Sequence, residues 1–566
     1  MFQQILLFYS FFYITLISVI GYGFLFNKIC FASFKSSKNE GIIYVGFYGL
    51  FFLTLISLFT SFFTQHDYFH NLIINILGII FFFFIKFHNK KNYIKIIFII
   101  SIFTISALLI SKTHDDFSYY HLPFTNYLTE QKVIFGMGNL SHGYKLLSSL
   151  FFLNSVFYLP YIELYSFHFS LIFFLIFFNF FLIKEILNER DFDISKCLYL
   201  LTFIFFNLSF NRLAEYGTDK AGQLLMVILI IKSLHLICFE KNKKDLNSFV
   251  ILLPLFALCI TLKTYFVSYL IIGLAILLIN EKIVKILKDL FLTRSFIFSL
   301  TIVLLFFIHH FISTGCIISP ISITCLGDNL DWAHNKSHYQ RLSNWLEQWA
   351  KAGAGPNYRV DDPEIYIKNF NWVDRWFNYY FIGKVKDQLI LLFATYLCVF
   401  FFLKKLIFND NKIIFLNLKV IFFYLLILFI IFIWFTNHPQ LRYGGYPIIF
   451  LFLSIPFVLF LQNFENKKIS KKKIIVLIIM VIVIFNYKNF IRINKEFKRV
   501  DNYKFDNFPY FSLPKKYYEF ENTDSGLKIY KTDGHCWNTP SPCAMSLEKF
   551  NFKVKKKNSY YFIINE

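Results

Sequence analysis

Charge is scarce in this chain. Asp, Glu, Lys and Arg make up 16% of its 566 residues, against about 25% in a soluble domain, which excludes a water-soluble globule as the fold of the whole. Polar–apolar alternation is lacking too. Runs such as Ile79–Ile85 and Leu171–Ile183 do not alternate, which argues against a transmembrane barrel. Helices are the other structure that satisfies its own backbone inside a bilayer. Met1–Asn27 has no basic leader and no small-residue cleavage site, so it is expected to be a first span rather than a removed signal peptide. No internal repeat is visible. No nucleotide site is found either: no strand precedes Gly353-Ala354-Gly355-Pro356, which reads as a turn and not a phosphate loop.

What is abundant is apolar. Hydrophobic residues make up 57% of the chain, and Phe alone occurs 80 times. About 20 apolar residues cross the hydrocarbon core of a bilayer. On that basis spans are expected near 4–26, 42–63, 72–85, 96–111, 162–183, 197–210, 221–239, 249–262, 265–281, 295–312, 388–403, 420–436, 446–462 and 474–487. The expected fold is an all-α polytopic membrane protein of about fourteen transmembrane helices, with a small C-terminal extracytoplasmic domain at 488–566.

The formal net charge is +22, and its placement tells what it is for. With the N-terminus outside, the seven inside loops hold 26 Lys and Arg in 85 residues, and the outside connections hold 15 in 154. A threefold excess follows the positive-inside rule, so the basic charge sets orientation and no nucleic-acid partner is implied. The bulk lies outside, in 112–161, 313–387 and 488–566, and function is expected on that face of the cell (inner) membrane. Four of the nine cysteines lie there as two close pairs, Cys316 with Cys325 and Cys536 with Cys543. In an oxidising compartment this predicts two local disulfides. His535 neighbours Cys536, but no ligand set at zinc spacing accompanies it.

Several polar residues stand at the outer ends of spans. Asp115 and Asp116 follow one span directly, where burial and mutual repulsion are expected to raise a carboxyl pKa and make a base. His121 lies just beyond, in Phe117–Gln131, which with His142–Leu159 reads as helices in the membrane interface. The loop 211–220 carries Arg212, Glu215, Asp219 and Lys220, which are able to pair among themselves. Lys263 sits between two apolar runs, either snorkelling to the surface or meeting an anion. Arg442 is the one basic residue in 437–447, and Arg suits phosphate. His309 and His310, at the end of a span, and the aromatic stretch Trp372–Tyr380 read as interfacial.

These residues together resemble the C-type superfamily of membrane glycosyltransferases, nearest to the protein O-mannosyltransferase and aminoarabinose transferase group. The resemblance rests on an acidic residue opening the first large outer loop (Asp115-Asp116), Arg212 and Asp219 before a later span, and Lys263 at the outer end of the next ascending one. It implies a catalytic module at 96–312, preceded by three accessory helices in 1–95 and followed by an outer loop at 313–387 and further spans in 388–487. It implies a polyprenyl-phosphate-linked sugar as donor, the lipid bilayer as surroundings, and a glycan, lipid or protein acceptor. Asp116 or Asp115 is then the base, with Arg212, Asp219, Lys263, Arg442 and His121 binding substrate. The resemblance names no certain cofactor, with a divalent cation (Mg or Mn) on the departing phosphate as the candidate and the need for a metal left open. The three leading spans and the tail depart from close relatives. Two other readings stay open: a transporter or flippase of a lipid-linked or anionic substrate, and a non-catalytic assembly protein of the same architecture.

The charge count generates a direct expectation. Reporter fusions at Asn242 and Lys468 will report the cytoplasm, and fusions at Asn335 and the C-terminus the opposite side. A cytoplasmic C-terminus would remove the sidedness.

Overall fold

The computed structural model of the chain describes all residues except Met1, 33–40, 88, 112, 189–193, 216, 239–245, 279–282, 354–361, 408–417, 463–470, 499–507, 546–551 and Glu566. Parts of all seven loops expected in the cytoplasm, and residues 354–356 of the Gly353 turn, lie outside the described residues.

Each of the fourteen apolar runs forms a helix. Among the described residues nine are long and apolar enough to cross a membrane, from Phe2–Phe31 to Lys471–Phe497. Five more, including Tyr68–Phe84 and Gly445–Leu461, are apolar but only 10–17 residues long. Nine is therefore the count that length and composition support, against the fourteen expected.

Burial sorts the helices into centre and rim. Glu163–Leu187 is 94% buried along its most apolar stretch, whereas Leu418–Asn437 is 28% buried and exposes Leu425, Phe429 and Phe432. The central helix is a column of phenylalanines packed edge-on against its neighbours, as where Phe169 meets Phe12 at 5.3 Å. Such pairs add about 0.5–1.5 kcal/mol each beyond their area. One polar pair joins it to Ile194–Ser209: the amides of Asn179 and Asn207 exchange hydrogen bonds at 3.0 and 2.8 Å, the kind of contact that holds helices together where the hydrophobic effect does not. The first helix approaches the next two through small residues. A Cβ on Gly21 would strike the carbonyl of Gly78, and one on Gly49 that of Val19.

The three large connecting pieces gather at one end of the bundle. Phe117–His121 forms a π-helical turn that runs into Leu122–Glu130, and a short helix follows at Ser149–Ser155. These segments were expected to lie in the membrane interface. They are buried within the protein: Ser149–Ser155 packs against the bundle helices, Val45–Thr60 above all, and the other two pieces reach the segments around it. Asn139 donates to the carbonyls of Trp332 and Ile563 at 3.0 and 2.8 Å. The stretch Trp372–Tyr380 has two faces: Trp372, Trp376 and Tyr380 are buried and Phe377 and Tyr379 are exposed, at the head of the long helix Val373–Phe402.

The C-terminal region corrects the all-α expectation. Strands β1 (Tyr518–Asn522) and β2 (Lys528–Thr532) pair antiparallel, and β3 (Cys543–Ala544) runs parallel to β2. Strands β4 (Phe552–Lys557) and β5 (Tyr560–Asn565) form a hairpin, and β5 also bridges to Phe135. Both expected disulfides form, Cys316–Cys325 and Cys536–Cys543. The second clips a segment that lies on the π-helical turn. Trp537 donates its backbone N–H to Ser118 O at 3.1 Å, His535 Nδ1 lies 2.8 Å from Ser118 Oγ, and Tyr144 donates to Cys543 O at 3.1 Å.

Closing so short a loop stabilises by about 2–3 kcal/mol in the chain-entropy account. Cys536→Ser with Cys543→Ser is expected to lower the melting temperature. Alkylation of the unreduced protein should spare all four paired cysteines, and labelling of all four would overturn the pairing.

Candidate functional site

Four charged residues far apart in the chain meet where the connecting pieces gather. Asp219 opens the helix Asp219–Cys238, where a carboxylate complements the N-terminal partial charge. Lys263 occupies the extended gap between Leu246–Leu262 and the turn Thr264–Tyr269. Arg442 lies in the single turn Leu441–Tyr443. Asp116 immediately precedes the π-helical turn Phe117–His121, a distortion that recurs at functional sites.

The four make one chain of ion pairs. Arg442 donates from Nη2 to Asp116 Oδ2 at 2.9 Å and from Nε to Asp219 Oδ2 at 3.0 Å. Lys263 Nζ takes the other oxygen of Asp219 and lies over the Tyr443 ring, 4.4 Å from its centre. Two carboxylates and two cations balance, which is what makes their burial tolerable, since removing one partner strands a charge.

The Arg442 turn is pinned from several sides. Trp376 Nε1 donates to Pro439 O at 2.6 Å, Trp434 Nε1 to Gln440 O at 2.8 Å, and the Leu441 N–H to Tyr380 Oη at 2.8 Å. Gln223 donates to Arg442 O at 3.1 Å. Gly444 ends the turn at φ +84°, a left-handed conformation suited to Gly, and its carbonyl accepts from Tyr269 at 3.0 Å.

The expectation of a raised pKa at Asp116 is reversed. Burial pushes its carboxyl up, but Arg442 above all, with His121 and His114, holds it below the usual carboxylate range. His114, which the sequence reading passed over, accepts the Asp116 N–H on Nδ1 at 3.1 Å. Burial first, and then Arg442, lowers its pKa. It therefore sits beside Asp116 as a neutral ring at pH 7.

The ion chain stands between two cavities. One, of about 260 Å³, is lined by Asp115, Asp116, Arg212, Glu215, Asp219, Lys220, Lys384 and Arg442 among others. The other, of about 230 Å³, is more apolar and is lined by Lys263, Tyr265, His310, Ser319, His438, Arg442 and Tyr443 among others. Arg442 belongs to both walls.

The expected site residues are brought together unequally. Asp116, Asp219, Lys263 and Arg442 converge. Asp115 is exposed and lines the first cavity without a hydrogen bond or ion pair among the described residues. Arg212 lines the same cavity but pairs with Glu215, so the local charge cluster splits, with Asp219 turned to distant partners. His121 is fully buried behind Asp116, its ring centre 5.7 Å from that of His114. His309 and His310 are not interfacial but buried. Among the described residues no three His, Cys, Asp or Glu side chains are grouped to hold a metal ion.

A family model described as "Domain of unknown function (DUF8201)" matches residues 5–449. The chain belongs to that family. The match spans all four members of the ion chain and stops before the tail. Neither a curated protein nor a solved structure matches the chain.

Replacing Arg442 by Gln leaves Asp116 and Asp219 without their shared cation. A loss toward the lower end of about 3–5 kcal/mol is expected. The pH dependence carries the sign. In the wild type the folded Asp116 pKa is depressed, so its stabilisation is present above the unfolded carboxyl pKa of about 3.9 and is lost as pH falls through the folded value. In the variant, burial raises the folded pKa, and protonation relieves the penalty as pH falls. The gap in melting temperature should therefore narrow between pH 7 and pH 4. A constant gap would show that Asp116 and Arg442 are not coupled.

Proposed function

We propose that this protein is a membrane glycosyltransferase that moves a sugar from a polyprenyl-phosphate donor to a hydroxyl acceptor on the extracytoplasmic face, inverting the anomeric centre. The observation that carries the reading is the convergence of Asp116, Asp219, Lys263 and Arg442 into one ion chain between a polar and a more apolar cavity. The motif positions on which the resemblance to C-type glycosyltransferases rests include Asp116, Asp219 and Lys263, while Arg442 is marked by its loop alone. The proposed membrane topology has the fourteen helices crossing, with the site at their outer ends. The acceptor is a glycan, a lipid or a protein.

Transfer in one displacement needs a base, a cation for the leaving phosphate and a place for each substrate. The acceptor oxygen attacks the anomeric carbon, the bond from that carbon to the phosphate oxygen breaks, and the acceptor proton passes to Asp116. The lipid phosphate departs carrying the bonding electrons, with Arg442 and Lys263 beside it. Such preset charges act most strongly where water is excluded. Arg442 holds Asp116 in a weakly basic state until a donor phosphate competes for the guanidinium. Asp116 then regains basicity when there is a donor to react. Asp219 orients both cations. No step is routed through a metal.

Asp116→Asn keeps the shape and removes proton acceptance, so transfer should fall by about 10²–10⁴-fold. Asp115→Asn should stay within about tenfold of wild type, since Asp115 has no partner in the ion chain. The assay is transfer from a polyprenyl-phosphate sugar in membranes that contain equal amounts of each variant. Near wild-type transfer by Asp116→Asn would overturn this assignment.

A further inference from the structure

The second large connecting piece begins with a loop whose apolar side is turned the wrong way for water. No Asp, Glu, Lys or Arg occurs from Ser295 to Gly327. The charge-free stretch of the helix Arg294–Thr314 therefore runs on through the loop that the Cys316–Cys325 disulfide closes. The loop has two sides. Its disulfide is fully buried and packs against Tyr339 and Leu342 of the helix Lys336–Lys351. Its aliphatic side chains are left outside: Ile317, Ile321 and Leu326 are 47–48% exposed, and Ile323 is 86% exposed. Apolar groups clustered on the outside mark an interaction surface.

The level of the loop and its backbone point to the partner. The helix Arg294–Thr314 has 21 residues, about 31 Å at 1.5 Å per residue, which matches the roughly 30 Å of a hydrocarbon core. Its exposed stripe of Ile297, Leu300, Leu304 and Ile308 repeats at helical spacing along that length. The loop begins where the helix runs out, at the edge of the hydrocarbon. There it keeps its own hydrogen bonds. The Ile317 N–H donates to Thr324 O at 3.1 Å, Leu326 to Gly315 O at 2.9 Å and Ile321 to Ile318 O at 2.8 Å. The Ile318 N–H donates to Thr324 Oγ1 at 3.1 Å, and Pro320 has no N–H to place. Peptide groups paired in this way lose little on leaving water, where unpaired ones are costly.

We infer that the loop 316–325 is a membrane wedge, its isoleucines inserted among the acyl chains of the leaflet at that end of the bundle. Its level is the boundary between headgroups and acyl chains, because irregular backbone facing lipid is not tolerated deeper. Lipid fits this surface better than a protein does. From Gly315 to Gly327 there is no aromatic residue and no Arg, the anchors that dominate protein interfaces, whereas Ile and Leu favour hydrocarbon. The wedge also borders the Lys263-side cavity, since Ile318, Pro320 and Ile321 are in its wall. One loop thus has lipid on one side and that cavity on the other.

The test is fluorescence quenching of the full chain in nanodiscs. Ile323→Trp and Leu326→Trp each put an indole on the wedge, and Ser337→Trp puts one on the exposed start of the helix Lys336–Lys351. The emission of the seven native tryptophans, measured on the wild type, is subtracted. Phosphatidylcholine brominated on its acyl chains should remove most of the added emission at 323 and 326, and aqueous iodide should leave it bright. Ser337→Trp should show the reverse. An unchanged melting temperature shows that the variants are folded. Iodide quenching at both wedge positions overturns the inference. Quenching by neither agent also overturns it, and would mean that another protein or a second copy of this chain covers the loop. No substrate enters the measurement, so failure here leaves the transferase reading untouched, and failure of that reading leaves the wedge in place.

Discussion

One guanidinium holds this site together. Arg442 reaches Asp116 on the first large connecting piece and Asp219 at a helix start, and through Asp219 it is linked to Lys263 at a helix gap. The side chains of Asp219 and Lys263 are only 8% and 15% exposed. At that depth an isolated charge is costly, so each depends on the others being in place. The position of Arg442 is therefore a constraint on the whole bundle. The indoles of Trp376 and Trp434 and the hydroxyl of Tyr380 are all committed to the backbone of residues 439–441.

The rest of the fold supplies rigidity to that constraint. Asp219, Lys263 and Arg442 all stand at helix ends or in the gaps between helices, so a small rotation of any helix would break a pair. The phenylalanine packing around Glu163–Leu187 and the Asn179–Asn207 amide pair oppose such rotations. Close-packed interiors transmit strain instead of absorbing it. The heavy use of Phe, whatever its origin, leaves a core with little slack.

The four converging residues were legible because ionisable groups at the ends of apolar runs are rare and costly. What was not legible is who meets whom. Asp116 next to Asp115 suggests repulsion and a raised pKa. The cation that reverses this is Arg442, 326 residues away in sequence, and adjacency in sequence hides it. Arg212 illustrates the opposite error, since its neighbour Glu215 claims it. His310 looked interfacial because it ends a span, yet it is buried, its ring against Phe306 one turn back. The strands of the tail had a signal that went unused: Phe552–Lys557 alternates at Phe552 and Val554, and Tyr560–Asn565 is aromatic and β-branched, a pattern that favours strands.

The clasp between the tail and the Asp116 piece has a consequence for biogenesis. Phe135 pairs with Tyr561 and Ile563 across more than four hundred residues, and contacts of such long separation form late. The tail has to reach the same end of the bundle before the turn beside Asp116 is covered. A chain arrested midway would have its helices but an uncovered turn beside Asp116. Assembly of the helices and covering of that turn would then be separate events in time.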